Sequence, residues 1–300
     1  MDKNKILKYA AVFLLIIGIA YLWNRLSPGA IDKNFDTLTS TETTQSSEST
    51  TAPRINLKDL DKVTAAKSMP SVVKEYEGFT VDFNPENKTP NYVAWILQGH
   101  ETVGAAERSN KFWTDFDIEN CPDTRDYSRS GYDRGHMCPA GEQKWSSKAM
   151  HDCFVMANMC PQNHELNTGA WNTLEEMERV WAKRDSAIVI VAGPVYDGSE
   201  TETIGRAKVR VPSAFFKVLL APYASPMRAI GFVYPNMNCE GNMQAYATSV
   251  DEVEKMTGLD FFSALPDEIE NDIEAVVSFR DWTRNRKREN SEKAYESIER

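Results

Sequence analysis

Residues 133–136 read Asp-Arg-Gly-His, and each type brings a capacity suited to one chemistry. Imidazole is the side chain best able to take up a proton near neutral pH. The adjacent Arg134 can grip a phosphate through two parallel hydrogen bonds. Gly135 has no side chain, so the backbone can come close to a bulky substrate. Only four histidines occur in the chain, so one set between a paired Asp133/Arg134 and a proline-bounded loop narrows the search to this stretch. Together these residues point to phosphodiester hydrolysis with His136 as the base.

Two further elements follow. Ala157-Asn158-Met159-Cys160-Pro161-Gln162 comes first, and then Leu166-Asn167-Thr168-Gly169-Ala170-Trp171-Asn172-Thr173-Leu174-Glu175. With Asp133–Pro139 they resemble the DNA/RNA non-specific endonuclease family, the group with a ββα-metal finger that includes endonuclease G. The likeness runs from about Phe79 to Trp282. It takes in Arg108, the Val191–Pro194 strand end and Val211–Lys217.

That resemblance implies a role for each residue, and a plainer reading stands beside several of them. His136 is the general base that takes a proton from the attacking water. Asn167 binds one divalent ion through its amide oxygen, Mg²⁺ with Mn²⁺ as a substitute, because hard cations take oxygen ligands and keep several waters. The plain reading of Asn167 is a helix N-cap. Glu175 lies eight residues on, about 80° around a regular helix; it would hold a metal-bound water or orient Arg179. Otherwise it is a solvated glutamate. Arg134 and Arg108 neutralise charge growing on the phosphate, with a surface ion pair as the alternative for Arg108. Asn158 organises the finger through the backbone, and Asp133 locks its loop. Glu142 stands where the family often has an acidic residue. The products would carry 5′-phosphates, and DNA and RNA would be held through the phosphate backbone. A catalytically silent surface nucleic-acid receptor and a phosphodiesterase for another substrate are the competing functions. Homodimerisation and a protein inhibitor stay open.

Elements must hold these groups in place. Residues 71–83 and 91–98 are rich in β-branched and aromatic types and predict antiparallel strands. Ala187–Ala192 is a continuous apolar run ending at Gly193-Pro194, which predicts a central buried strand. Val209–Pro212, Ala214–Leu220 and Ala229–Tyr234 add more strands. Helices are predicted over 168–184, 249–256 and 266–277, the first with an apolar stripe of Trp171, Leu174, Met177, Val180 and Trp181. The fold class is therefore α+β: a mixed, mainly antiparallel central sheet flanked by helices, with the ββα-metal finger as its active site by resemblance.

The 300 residues, 41% of them hydrophobic, suffice for one substantial core. A net charge of −10 argues against a protein that coats nucleic acid through a broad basic surface. A local basic groove remains compatible with it. Lys3, Lys5 and Lys8 precede an apolar run from Tyr9 to Trp23, the pattern of a signal peptide or signal anchor over residues 1–30. Export follows, with the protein membrane-anchored facing the periplasm or cell exterior, or secreted if the segment is cleaved. Residues 31–70 form a Ser/Thr-rich linker and lead-in, residues 71–283 the nuclease domain, and residues 284–300 a charged tail.

The five cysteines are an odd number, so at least one is unpaired within the chain. A Cys138–Cys160 disulfide would stiffen the finger. Zinc is the competing use of His136, Cys138, His151, Cys153, Cys160 and His164, but their spacings depart from the paired C-x₂₋₄-C pattern of structural sites.

Overall fold

The run Ala187–Val195 (β7) is buried along nearly its whole length, as expected of a strand covered on both faces. In the computed structural model, which describes residues 57–199 and 201–283, it is the middle strand of a seven-stranded sheet. On one side stand β10 (Ala214–Ala221), β11 (Arg228–Pro235) and β12 (Ala247–Thr248). On the other stand β4 (Thr89–Gln98), β3 (Phe79–Asn84) and β2 (Val72–Tyr76). Every pairing in this sheet is antiparallel. Short ribbons join β1 (Thr64–Ala65) to β13 (Leu259–Asp260) and β8 (Thr203–Ile204) to β9 (Val209–Arg210).

Because strand side chains alternate, β7 feeds two apolar layers. Ile188, Ile190 and Ala192 join Leu174 and Trp181 of α3 (Asn172–Asp185) on one face. Val189 and Val191 join Val250 and Val253 of α4 (Val250–Thr257) and Ile269 and Ile273 of α5 (Asp267–Glu274) on the other. The end of α6 (Phe279–Thr283) returns to the first layer, where Trp282 meets Trp181 edge-on with ring centroids 5.0 Å apart. Burial of rings this large is worth about 2–3 kcal/mol each.

Three differences from the sequence reading have local causes. Residues 71–83 are not one strand but the β2–β3 hairpin, turned at Gly78, whose φ of 90° lies in the left-handed region open to glycine. Val180 does not belong to the apolar stripe; it is 52% exposed, and Glu178 takes a buried position instead. Residues 57–70 are more than a lead-in, since Leu60 is buried in the second apolar layer. The apolar run at 9–23, the Ser/Thr tract at 36–53 and the tail at 284–300 lie outside the described residues.

Candidate active site

The Asp133–His136 segment forms β5, paired antiparallel with β6 (Met159–Gln162) so that His136 faces Met159 and Asp133 faces Gln162. Between them runs α1 (Ser147–Asp152), capped by the Ser146 hydroxyl, which accepts from the Lys148 and Ala149 amides. After β6 come α2 (His164–Leu166), a wide π-helical turn over Asn167–Trp171 kinked at Gly169, and then α3. The result is a strand–strand–helix finger. Gly135 has a packing role as well: a Cβ there would sit 2.3 Å from Gln162 Oε1. The glycine lets the two finger strands close over the Gln162 side chain.

Asn158 is fully buried and holds the finger loop on three sides. Its Oδ1 accepts from the Cys138 amide at 2.9 Å, and its Nδ2 donates to the carbonyls of Cys138 and Cys153 at 2.9 and 2.8 Å. Asn236, a residue the sequence reading passed over, ties the finger to the sheet. It donates to the Pro161 and Pro212 carbonyls at 3.0 Å and accepts from the Asn163 amide at 2.7 Å.

Asn167 is not an N-cap. Its backbone is helical, and the cap is Asn163, whose side chain accepts from the Leu166 amide at 3.1 Å. Asn167 Nδ2 donates instead to Asp133 Oδ2 at 2.9 Å. A carboxylate can only accept, so this bond fixes the amide's orientation and leaves its oxygen for another partner. The same Asp133 oxygen takes His164 Nδ1 at 2.8 Å, and that contact raises the His164 pKa. One carboxylate thus joins β5 to the helical arm.

Arg108, Arg134, His136, Asn167, Glu175 and Arg179 line one cavity of about 580 Å³, together with Phe112 and Asn172. The π-helical turn supplies Asn167 and the first turn of α3 supplies Glu175, on either side of the kink. His136 is 9% exposed and packed between the rings of Phe112 and Phe154, at 5.6 and 4.9 Å. Its Nε2 is buried without a hydrogen-bond partner. Burial, helped by the Arg108 guanidinium, pushes its pKa down to about 3, so the ring is neutral at physiological pH. Arg108 lies over Phe154 at 5.2 Å and donates to Asn110 at 2.9 Å, not to a carboxylate. Arg134 lies over Phe112 at 5.1 Å and donates to the Thr124 carbonyl at 2.8 Å.

Behind this wall sits a buried ionic cluster that sequence did not announce. Lys217 of β10 and Glu178 of α3, both wholly buried, pair at 2.9 Å. The Lys217 ammonium also lies 4.6 Å from the centre of the Trp171 ring. Glu142 is likewise inaccessible; it accepts from the Trp95 indole at 2.8 Å and lies 3.9 Å from Arg179. It therefore stands behind the cavity and not in it. Burial and then Glu178 hold the Glu142 carboxyl well above its usual pKa. Burial, against the opposing pull of Lys217, pushes Glu175 up to about 7. Burial would lower the Lys217 pKa, but Glu178, Glu175 and Glu142 outweigh it and the pKa rises. Three carboxyls thus face two cations.

The donors in the cavity suit a hard divalent ion. They are an amide oxygen fixed by Asp133 and a carboxyl, with room for water. The residues weighed for zinc are engaged separately: Cys138 accepts from Gln143, Cys153 donates to the Met150 carbonyl, His151 stacks on Trp113 and His164 pairs with Asp133. All five cysteines are free thiols, so the Cys138–Cys160 disulfide is not formed. Cys160 faces Gly135 across the ribbon, while Cys138 lies beyond the end of β5 against Gln143.

Residues 57–268 match the family model described as DNA/RNA non-specific endonuclease. The mitochondrial nuclease EXOG of Xenopus laevis is 35% identical over 209 residues, 64% of this chain and 58% of that protein. A nuclease of Nostoc is 32% identical over 214 residues, 66% of this chain and 76% of that protein. A crystal structure of an EndoG/EndoGI complex superposes with a TM-score of 0.62 at 30% identity, covering 66% of this chain and 89% of that one. The match thus spans less than two thirds of the frog protein's own length. These likenesses overturn the expectation of an exported, membrane-anchored or secreted protein, because its relatives include a series of nucleases named as mitochondrial. Among the described residues, no helix is long and apolar enough to cross a membrane.

Proposed function

The chain belongs to the DNA/RNA non-specific endonuclease family, and from that membership we propose that it is a metal-dependent endonuclease hydrolysing phosphodiester bonds in both DNA and RNA. One observation carries the reading. A neutral histidine with a buried, unpartnered Nε2 borders the same cavity as three arginines and an amide oxygen fixed by a carboxylate.

His136 takes a proton from a water molecule as that water attacks phosphorus in line. The new O–P bond forms as the bond from phosphorus to the 3′ oxygen breaks, leaving a 5′-phosphate and a 3′-hydroxyl once the leaving oxygen is protonated. Arg134 and Arg108 oppose the charge that grows on the phosphate. Asn167 Oδ1 would hold one Mg²⁺, or Mn²⁺ in its place, with Glu175 holding a water beside it. When bound, that ion supplies positive charge to the phosphate and the leaving oxygen. Substrate is gripped through its phosphate backbone, which both nucleic acids share, so base identity matters little.

The test is degradation of plasmid DNA and of RNA with Mg²⁺, with and without EDTA. Cleavage of both, abolished by EDTA, is the expected result. Binding without cleavage would point to a silent nucleic-acid receptor, and neither binding nor cleavage to a different phosphodiester.

A further inference from the structure

The face of the sheet opposite α3 carries α4 and α5, whose apolar residues Val250, Val253, Ile269 and Ile273 pack on Val189 and Val191. Away from that layer, Asp251, Glu254 and Glu274 bring one carboxylate oxygen each within 4.8 Å of one another. Asp251 and Glu254 stand three apart on α4 and so share a face, while Glu274 is the last residue of α5.

Acidic side chains at a surface ordinarily relieve their repulsion by turning into water. Glu274 cannot: it is 5% exposed, and its Oε1 is buried with no hydrogen-bond partner. A carboxylate oxygen in that state bears its desolvation cost uncompensated. Glu254 is also held in place, because its Oε1 accepts from the Phe261 amide at 2.9 Å. The nearest lysine in sequence, Lys255, pairs with Glu252 at 2.7 Å. Burial, then Glu254, Glu270, Asp251 and Asp260, push the Glu274 pKa up to about 9.

We propose that Asp251, Glu254 and Glu274 form a second cation site, separate from the catalytic cavity, that takes one Ca²⁺ and clamps the end of α5 to α4. The donors are all oxygen, which selects a hard ion. Ca²⁺ accepts irregular sets of six to eight oxygens, as three carboxylates drawn from two helices would offer, whereas Mg²⁺ demands near-ideal octahedral geometry. Water completes the shell. The clamp would fix the segment that leads to α6, whose Trp282 packs on the other face of the sheet.

Calorimetric titration of the full chain with CaCl₂ tests this, using Asn167→Ala as the parent so that the catalytic cavity does not contribute. The parent should bind one Ca²⁺ with a Kd of about 10⁻⁴ to 10⁻³ M. At ten times that Kd its Tm should rise by roughly 3–6 °C. Adding Glu274→Gln should abolish both effects. Should that variant fail to fold, Asp251→Asn at a half-buried position should show the same loss of binding. Absence of Ca²⁺ binding by the parent, or binding by both variants equal to the parent's, would overturn the proposal.

Discussion

Asp133 Oδ2 accepts the Asn167 amide at 2.9 Å, joining the strand that carries His136 to the helical arm that carries Glu175. Asp133 thus sets which end of the Asn167 amide faces the cavity. Asp133→Ala should lower kcat about 10- to 100-fold, the usual effect of removing a residue that orients a metal ligand. DNA affinity should change little, because Arg108 and Arg134 remain. Asn167→Ala should reproduce the kcat loss, and the double variant should be no worse than the more damaging single one. Additive losses in steady-state kinetics would show that the two act separately.

The two titrating groups of the site predict an unusual pH profile. With a pKa near 3, His136 is already neutral across roughly pH 5–9 and adds no limb there. Glu175, pushed up to about 7, loses its proton as pH rises through that value. If its carboxylate must be charged, kcat/KM climbs with pH to a plateau. A bound cation favours the charged form, so the midpoint should move below 7 as Mg²⁺ is raised. Glu175→Gln should remove the limb and lower the plateau. A limb unchanged in that variant would assign it elsewhere.

Lys217 and Glu178 form a fully buried pair at 2.9 Å. Lys217→Met would leave Glu142, Glu175 and Glu178 with Arg179 as the remaining cation of the cluster. The expected cost is about 3–5 kcal/mol in urea unfolding. Adding Glu178→Gln should recover part of it, because the stranded charge is then gone. Two losses that simply add would mean that the pair contributes no coupling.

The free thiols should be inert. Burial first pushes Cys121 and Cys239 up to about 11 and Cys153 up to about 12, and it holds Cys138 and Cys160 well above their usual range. At pH 8 all five are therefore protonated, and the thiolate is the reactive form. Iodoacetamide should label them slowly in the native protein and quickly after denaturation, with mass spectrometry as the readout. A Cys138–Cys160 bridge in unreduced protein would contradict the structure.

What the sequence revealed depended on how local each signal was. The central strand was legible because Ala187–Ala192 is an unbroken apolar run, and the residues of the cavity were legible because motif spacing fixes their order along the chain. The packing need for glycine at 135 is not legible in sequence, since Gln162 reaches it only when β5 and β6 pair. Lys217 and Glu178 lie 39 residues apart and meet only because β10 and α3 pack together. Val180 fits a helical stripe yet faces solvent; periodicity counts apolar residues but does not show which flank of a helix the core needs.

The most direct measurement is the single-turnover cleavage rate of a labelled DNA duplex, with protein saturating and Mg²⁺ present, for the wild type and His136→Ala. A general base contributes about 10²- to 10⁴-fold, so the variant should be slower by that factor while binding the duplex as tightly. Cleavage by His136→Ala at the wild-type rate would contradict the assignment of this histidine as the base.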